Sequence, residues 1–101
     1  MEEIHRKKLD QLCEELILYI DMNILWPLLL KNKIYNRDDC NIPIWKKNLN
    51  DLDTVRDIFL TIKTRGPDAY KNLLKSLREA EYDVLAIVLE NYQIIEDNIN
   101  K

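Results

Sequence analysis

A single glycine in 101 residues, with a proline directly after it, fixes the one place where this chain has to turn sharply. The stretch Thr64-Arg65-Gly66-Pro67-Asp68-Ala69-Tyr70 has helical periodicity on both sides. Gly66 can take the left-handed conformation that closes a helix, and Pro67 has its torsion preset for the first turn of the next. Asp68 sets negative charge at the positive end of that helix, while Lys63 and Arg65 complement the carbonyl end of the one before. Torsions and charge agree on a helix corner.

Before the corner, Leu9, Leu12, Cys13, Leu16, Ile17 and Ile20 recur at the three-four spacing of one helical stripe. Glu2 and Glu3 suit the start of that helix, whereas His5, Arg6, Lys7 and Lys8 oppose its dipole. Asp21-Met22-Asn23 reads as a turn or cap ahead of a second, very apolar helix carrying Leu25, Leu28, Leu29 and Ile34. Pro27 is expected in or near its first turn. Asn36 with Asp38 and Asp39 reads as an N-cap followed by acids, opening a third helix that Pro43 shortens or kinks before Trp45. Lys46 to Asn50 is a polar connector, and Asn50-Asp51-Leu52-Asp53 starts a fourth helix. Its inward set is Leu52, Val55, Ile58, Phe59 and Ile62, with Arg56, Asp57 and Lys63 outward. Tyr70, Leu73, Leu74 and Leu77 line a fifth helix, and Leu85, Val88, Leu89 and Tyr92 a sixth. The expected fold is an all-α bundle of about six short helices, with antiparallel neighbours joined by short connections.

A chain of 101 residues suits one domain with one modest core. With 15 basic and 18 acidic residues the net charge is -3, which gives no global attraction to nucleic acid or anionic lipid. The longest apolar run, Ile24 to Leu30, contains Pro27 and is far short of the ~20 residues that span a bilayer. The amino terminus lacks the apolar stretch of a secretory signal, so the expected compartment is the cytoplasm, where Cys13 and Cys40 stay reduced. His5 and Cys13 lie roughly 12 Å apart along a helix, too far for a catalytic pair. No ligand spacing suggests a metal site, and one glycine cannot build a phosphate-cradling loop. Trp26 and Trp45 read as core or groove plugs. No enzymatic activity, cofactor, metal or small-molecule substrate is expected.

The order of amphipathic helices carries a resemblance through two motifs. Leu25-Trp26-x-x-Leu29-Leu30 stands in the second helix, and Arg65-Gly66-Pro67-x-Ala69-Tyr70-x-x-Leu73-Leu74 opens the fifth. Together they resemble a caspase recruitment domain, or CARD, of the death-domain superfamily. Arg65 to Leu77 is most similar to insect Dronc-type initiator caspases, and the resemblance runs from Ile4 to Asn91. Pro43 in the third helix departs from the pattern, as do Asp10 and Glu14 where many caspase members are basic.

The resemblance implies a six-helix antiparallel bundle with the Greek-key death fold, its first helix open to a kink. That domain would cover residues 1–93, with 94–101 a helix extension or flexible tail. It implies a noncatalytic module, even as the prodomain of a cysteine protease, that binds another CARD. Such binding would bring an initiator caspase onto an apoptosome-like scaffold for proximity activation in apoptosis. A scaffold or adaptor domain, or a freestanding CARD-only regulator, is the alternative. The implied partners are CARD proteins, including a second copy of the chain, and neither nucleic acid nor membrane. Carried over by position, the basic face is Arg6, Lys7, Arg56 and Lys63, and the acidic face is Asp21, Asp38 and Asp39.

Overall fold

The stripe of Leu9, Leu12, Cys13 and Leu16 becomes the buried face of α1 (Glu3–Leu16), which tightens into a 3-10 turn at Ile17–Tyr19. The structure, a computed structural model, describes residues 1–36 and 38–95. Asp21 then caps α2 (Met22–Lys31), its carboxylate accepting the Asn23 N–H at 3.0 Å. A long connection leads to α3 (Ile42–Trp45). Asp51 caps α4 (Leu52–Thr61) in the same way, accepting the Thr54 N–H at 3.1 Å. A 3-10 turn at Ile62–Thr64, α5 (Ala69–Glu79) and α6 (Asp83–Asn91) complete the chain. Six helices and no strand among the described residues make this the expected all-α bundle.

α1 packs on α4 and α6, while α5 packs on α2 and α6. Leu9, Leu25, Leu29, Ile58, Phe59, Leu73, Leu77 and Leu89 are fully buried in the shared core. Trp26, Tyr35 and Trp45 form an aromatic cluster at its edge, with the two indoles perpendicular at 6.2 Å between centroids. The Tyr35 hydroxyl donates to the Ile58 carbonyl and ties that cluster to α4. Both tryptophans are thus core plugs, as their apolar bulk suggested.

Four expectations need correction. Pro27 is not in the first turn of α2 but inside the helix, because Asp21 starts the helix directly at Met22. The Asn23 carbonyl that loses its donor is on an exposed residue, near the start of the helix. No helix opens at Asn36: Asn36 Oδ1 accepts the Asp38 N–H at 3.1 Å and Asp39 Oδ2 the Asn36 N–H at 3.3 Å, which closes a turn. α3 begins instead at Ile42, and Pro43 stands in its first turn as an initiator. At the corner, Gly66 does adopt φ +94°, but Pro67 and Asp68 form a turn and α5 starts only at Ala69, with no side-chain cap from Asp68. Finally, Leu52 and Val88, expected inward, are exposed, and Leu74 and Leu85 are only half-buried.

The sixth helix ends at Asn91, and Tyr92 is extended, so the helix does not continue there. The Gln11 side chain holds the outgoing strand of chain, accepting the Ile95 N–H at 2.9 Å and donating to its carbonyl at 2.8 Å. The remaining part of the expected extension or tail, 96–101, lies outside the described residues.

With no glycine available, α2 and α5 close on side-chain-bearing residues in left-handed conformation: Lys33 at φ 63° and Glu81 at φ 67°. Ile34 N–H reaches the Leu29 carbonyl at 3.0 Å, and Tyr82 N–H reaches the Leu77 carbonyl at 2.7 Å, the closing pattern that ordinarily recruits glycine. Left-handed backbone costs such a residue about 1–2 kcal/mol, and the greater unfolded-state freedom of glycine offsets about 0.5–1 of that. Lys33→Gly and Glu81→Gly are each expected to stabilise the protein by up to about 1 kcal/mol, seen as a raised urea midpoint at unchanged slope. A lowered midpoint would refute this.

Candidate functional site

The outward residues of α4 meet a row of α1 that sequence reasoning treated as an anomaly. Asp10 and Glu14 lie four apart on α1, on the row that Arg6 begins. α1 and α4 run antiparallel, so Glu14 faces Arg56 while Asp10 faces Lys63, which sits in the 3-10 turn after α4. Glu14 grips Arg56 from both oxygens, at 2.5 Å to Nε and 2.9 Å to Nη2. Asp53 takes the remaining Nη1 at 2.6 Å. The planar guanidinium fork is therefore filled by carboxylates of its own chain.

These contacts shift the proton affinities. Hydrogen bonding from Arg56 holds the Glu14 carboxyl below its ordinary value, and the same bonds, with those to Asp53, raise Arg56. Glu14 and Asp53 remain well exposed, so salt screens the pairs and their share of fold stability is small. What the seam offers is a charged, ordered surface rather than a reaction centre.

The other expected basic residues divide. Arg6 is exposed, its Nε 3.3 Å from the Met1 carbonyl, and Lys7 is half-buried on the next row of α1, beside Gln11. The neighbouring His5 and Lys8 are explained by Tyr70: His5 stacks on its ring at 3.8 Å, and Lys8 lies 5.9 Å from the same ring with Nζ on the Glu90 carbonyl.

The acidic residues are not brought together. Asp21 caps the start of α2, while Asp38 and Asp39 follow its far end, and ten helical residues correspond to about 15 Å between those ends. Asp38 is exposed. Asp39 is paired at 2.8 Å with Arg65, whose guanidinium lies 4.7 Å from the Tyr35 ring. The tertiary partners Asp10, Glu14 and Arg65 were not among the expected contact residues. The one available signal was the pair of acids on α1 where cations were expected.

A buried polar bridge joins α2 to α5. Asn32 Nδ2 donates to Ser76 Oγ and to Glu79 Oε1, each at 2.8 Å, and the hydrogen bond from Asn32, with that from Lys31, lowers the Glu79 carboxyl from its ordinary 4.5. A depressed folded-state pKa contributes stability above the unfolded value that disappears as pH falls through the folded one. Thermal stability is therefore expected to hold from neutrality down to about pH 5 and then decline. Glu79→Gln is expected to flatten part of that decline, and identical acid profiles for the two proteins would count against it. Elsewhere, burial and the neighbouring Glu14 push the Cys13 thiol up to about 11, so it stays a protonated core residue.

The structure is thus an all-helical bundle whose conspicuous surface features are charged seams and helix caps. The family model for the caspase recruitment domain matches residues 2–92, and the chain belongs to that family within the death-domain superfamily. Neither the curated proteins nor the solved structures compared with the chain gave a match. Domains of this family are noncatalytic and bind other CARD or death-fold proteins in apoptosis and inflammation signalling. Among the described residues, no helix is long and apolar enough to cross a membrane.

Proposed function

We propose that the chain, as a CARD over residues 1–93, recruits an initiator caspase of the insect Dronc type to an apoptosome-like scaffold in the cytoplasm. Homotypic binding concentrates protease domains, and tethering many copies turns a weak small interface into a stable assembly. The observation that carries this reading is the cationic row of Arg56 and Lys63 against α1, where the family resemblance puts the basic face. Arg6 and Lys7 extend that face on α1, and Asp21, Asp38 and Asp39 are the proposed acidic contacts. Complementary patches of this kind speed encounter and select partners.

The test is a pull-down from the source organism's cytosol with wild type and the Arg56→Gln/Lys63→Gln variant, both shown folded by circular dichroism. Glutamine is chosen because a glutamate at position 56 would crowd Glu14 and Asp53. Wild type is expected to retain a CARD protein that the variant loses. Equal retention would refute the basic face, and retention of no such protein by either would refute recruitment.

A further inference from the structure

α6 carries more uncovered apolar surface than the core arrangement requires. Val84 is 71% exposed and Val88 39%, and Tyr19 in the 3-10 turn after α1 is 69% exposed. These are not scattered. Leu12, Leu16 and Tyr19 form one wall, and Val84, Leu85 and Val88 the other, of a groove of about 310 Å³ between α1 and α6. A second hollow of about 380 Å³ shares Tyr19, Val84 and Leu85 and continues it towards Tyr82. Contiguous apolar surface, unlike single exposed residues, marks a place where something docks.

The rim indicates the sign of the partner. Glu15 borders the first groove, while Glu81 and Asp83 border its continuation. All three are exposed, and among the described residues no basic side chain lines either hollow. The carboxylates at the other seams, Asp10, Glu14, Asp39, Glu79 and Glu90, are each matched by a cation of the same chain. Glu15, Glu81 and Asp83 have no such match among the described residues. By contrast, the larger groove on α5, about 510 Å³, mixes Lys71, Lys75 and Arg78 with Glu79 and Glu90 around Leu74 and favours no single charge.

We propose that the α1–α6 groove is a second docking surface, distinct from the α1–α4 seam, and that its occupant is an amphipathic helix of a protein partner. That helix presents an aliphatic stripe flanked by Lys or Arg. Positions 12, 16 and 19 are spaced i, i+4, i+7 and span roughly 10 Å, which is two turns of helix. A helix laid in this groove would place its own i, i+3/i+4, i+7 residues between the two walls. The apolar floor supplies affinity, and the three carboxylates select cationic flanks.

The experiment titrates the isotope-labelled full chain with a short peptide carrying leucines at helical spacing and flanking lysines, and with its glutamate-flanked twin. The lysine peptide is expected to shift the amide resonances of Tyr19, Val84, Leu85 and Val88 and to leave the α4 amides unmoved. Glu15→Lys/Asp83→Lys is expected to weaken that binding about tenfold and to favour the glutamate twin, with only a small fall in melting temperature because Asp83 stands in the first turn of α6. Val84→Ser, at a highly exposed position that cannot threaten folding, is expected to weaken both peptides alike. Equal binding of the two peptides to wild type, perturbations centred elsewhere, or indifference to charge reversal would overturn the proposal. So would shifts at the groove that depend on the concentration of the chain alone, since the occupant would then be a second copy. None of these readouts uses a CARD partner, so the groove stands or falls independently of the recruitment reading.

Discussion

Phe59→Ala is expected to destabilise the protein by about 3–5 kcal/mol. Phe59 is fully buried in α4, in the core shared with α1 and α5, and is the only phenylalanine in the chain. Removing its ring leaves a void that the fixed helix axes cannot close, so a cavity cost adds to the lost transfer energy. A domain of this size has about 5–15 kcal/mol in total, so the substitution is expected to leave a marginal or unfolded protein at physiological temperature. Leu52→Ala, on the same helix but 44% exposed, is the control and is expected to cost well under ~1 kcal/mol. Chemical denaturation followed by circular dichroism measures both. A Phe59→Ala loss below about 1 kcal/mol would mean that α4 does not anchor the core as described.

The second large effect concerns binding and rests on the recruitment reading. Asp10 and Glu14 already occupy the donors that an acidic partner would use on Lys63 and Arg56. A partner carboxylate must displace them, and the two carboxylates also reduce the positive potential of the seam. Asp10→Asn/Glu14→Gln is therefore expected to strengthen binding to an acidic CARD face by roughly tenfold at low salt. The gain is expected to shrink as ionic strength rises, because the seam is exposed. Arg56→Gln/Lys63→Gln is expected to abolish the same binding. If the Asp10/Glu14 variant binds less tightly instead, the carboxylates hold the cations in the productive orientation rather than compete for them. Binding by titration calorimetry at two salt concentrations distinguishes these outcomes.

Much of the fold was readable from local chemistry. Asp21 and Asp51 cap helices because a short carboxylate before an apolar run accepts a free N–H there, and Gly66 turns left-handed where the periodicity breaks. The buried stripe of α1, and those of α4 and α5 apart from Leu52 and Leu74, followed from spacing alone. The third helix was misplaced because Asn36 and Asp39 serve turns as readily as caps, and Arg65, which pairs with Asp39, lies far along the chain. Helix ends at Lys33 and Glu81 were hidden because their residue types do not announce a left-handed conformation. The candidate site was legible in its cations and not in their partners, since Glu14 and Arg56 meet only once α1 and α4 are packed. The exposure of Val84 and Val88 is likewise a property of where α6 lies on α1.

The aromatic cluster has a practical consequence. Trp26 and Trp45 are the only tryptophans, and they stand perpendicular to each other beside Tyr35. Intrinsic fluorescence is therefore a local reporter of the α2–α3 region, whereas far-ultraviolet dichroism averages over every helix. Coincident melting curves from the two signals would establish all-or-none unfolding; an earlier loss of the fluorescence signal would reveal that the long connection between α2 and α3 frays first. Because neither indole lines the α1–α6 groove, ligand docking there is expected to leave tryptophan emission unchanged, and a change in that emission during assembly would report remodelling in the α2–α3 region.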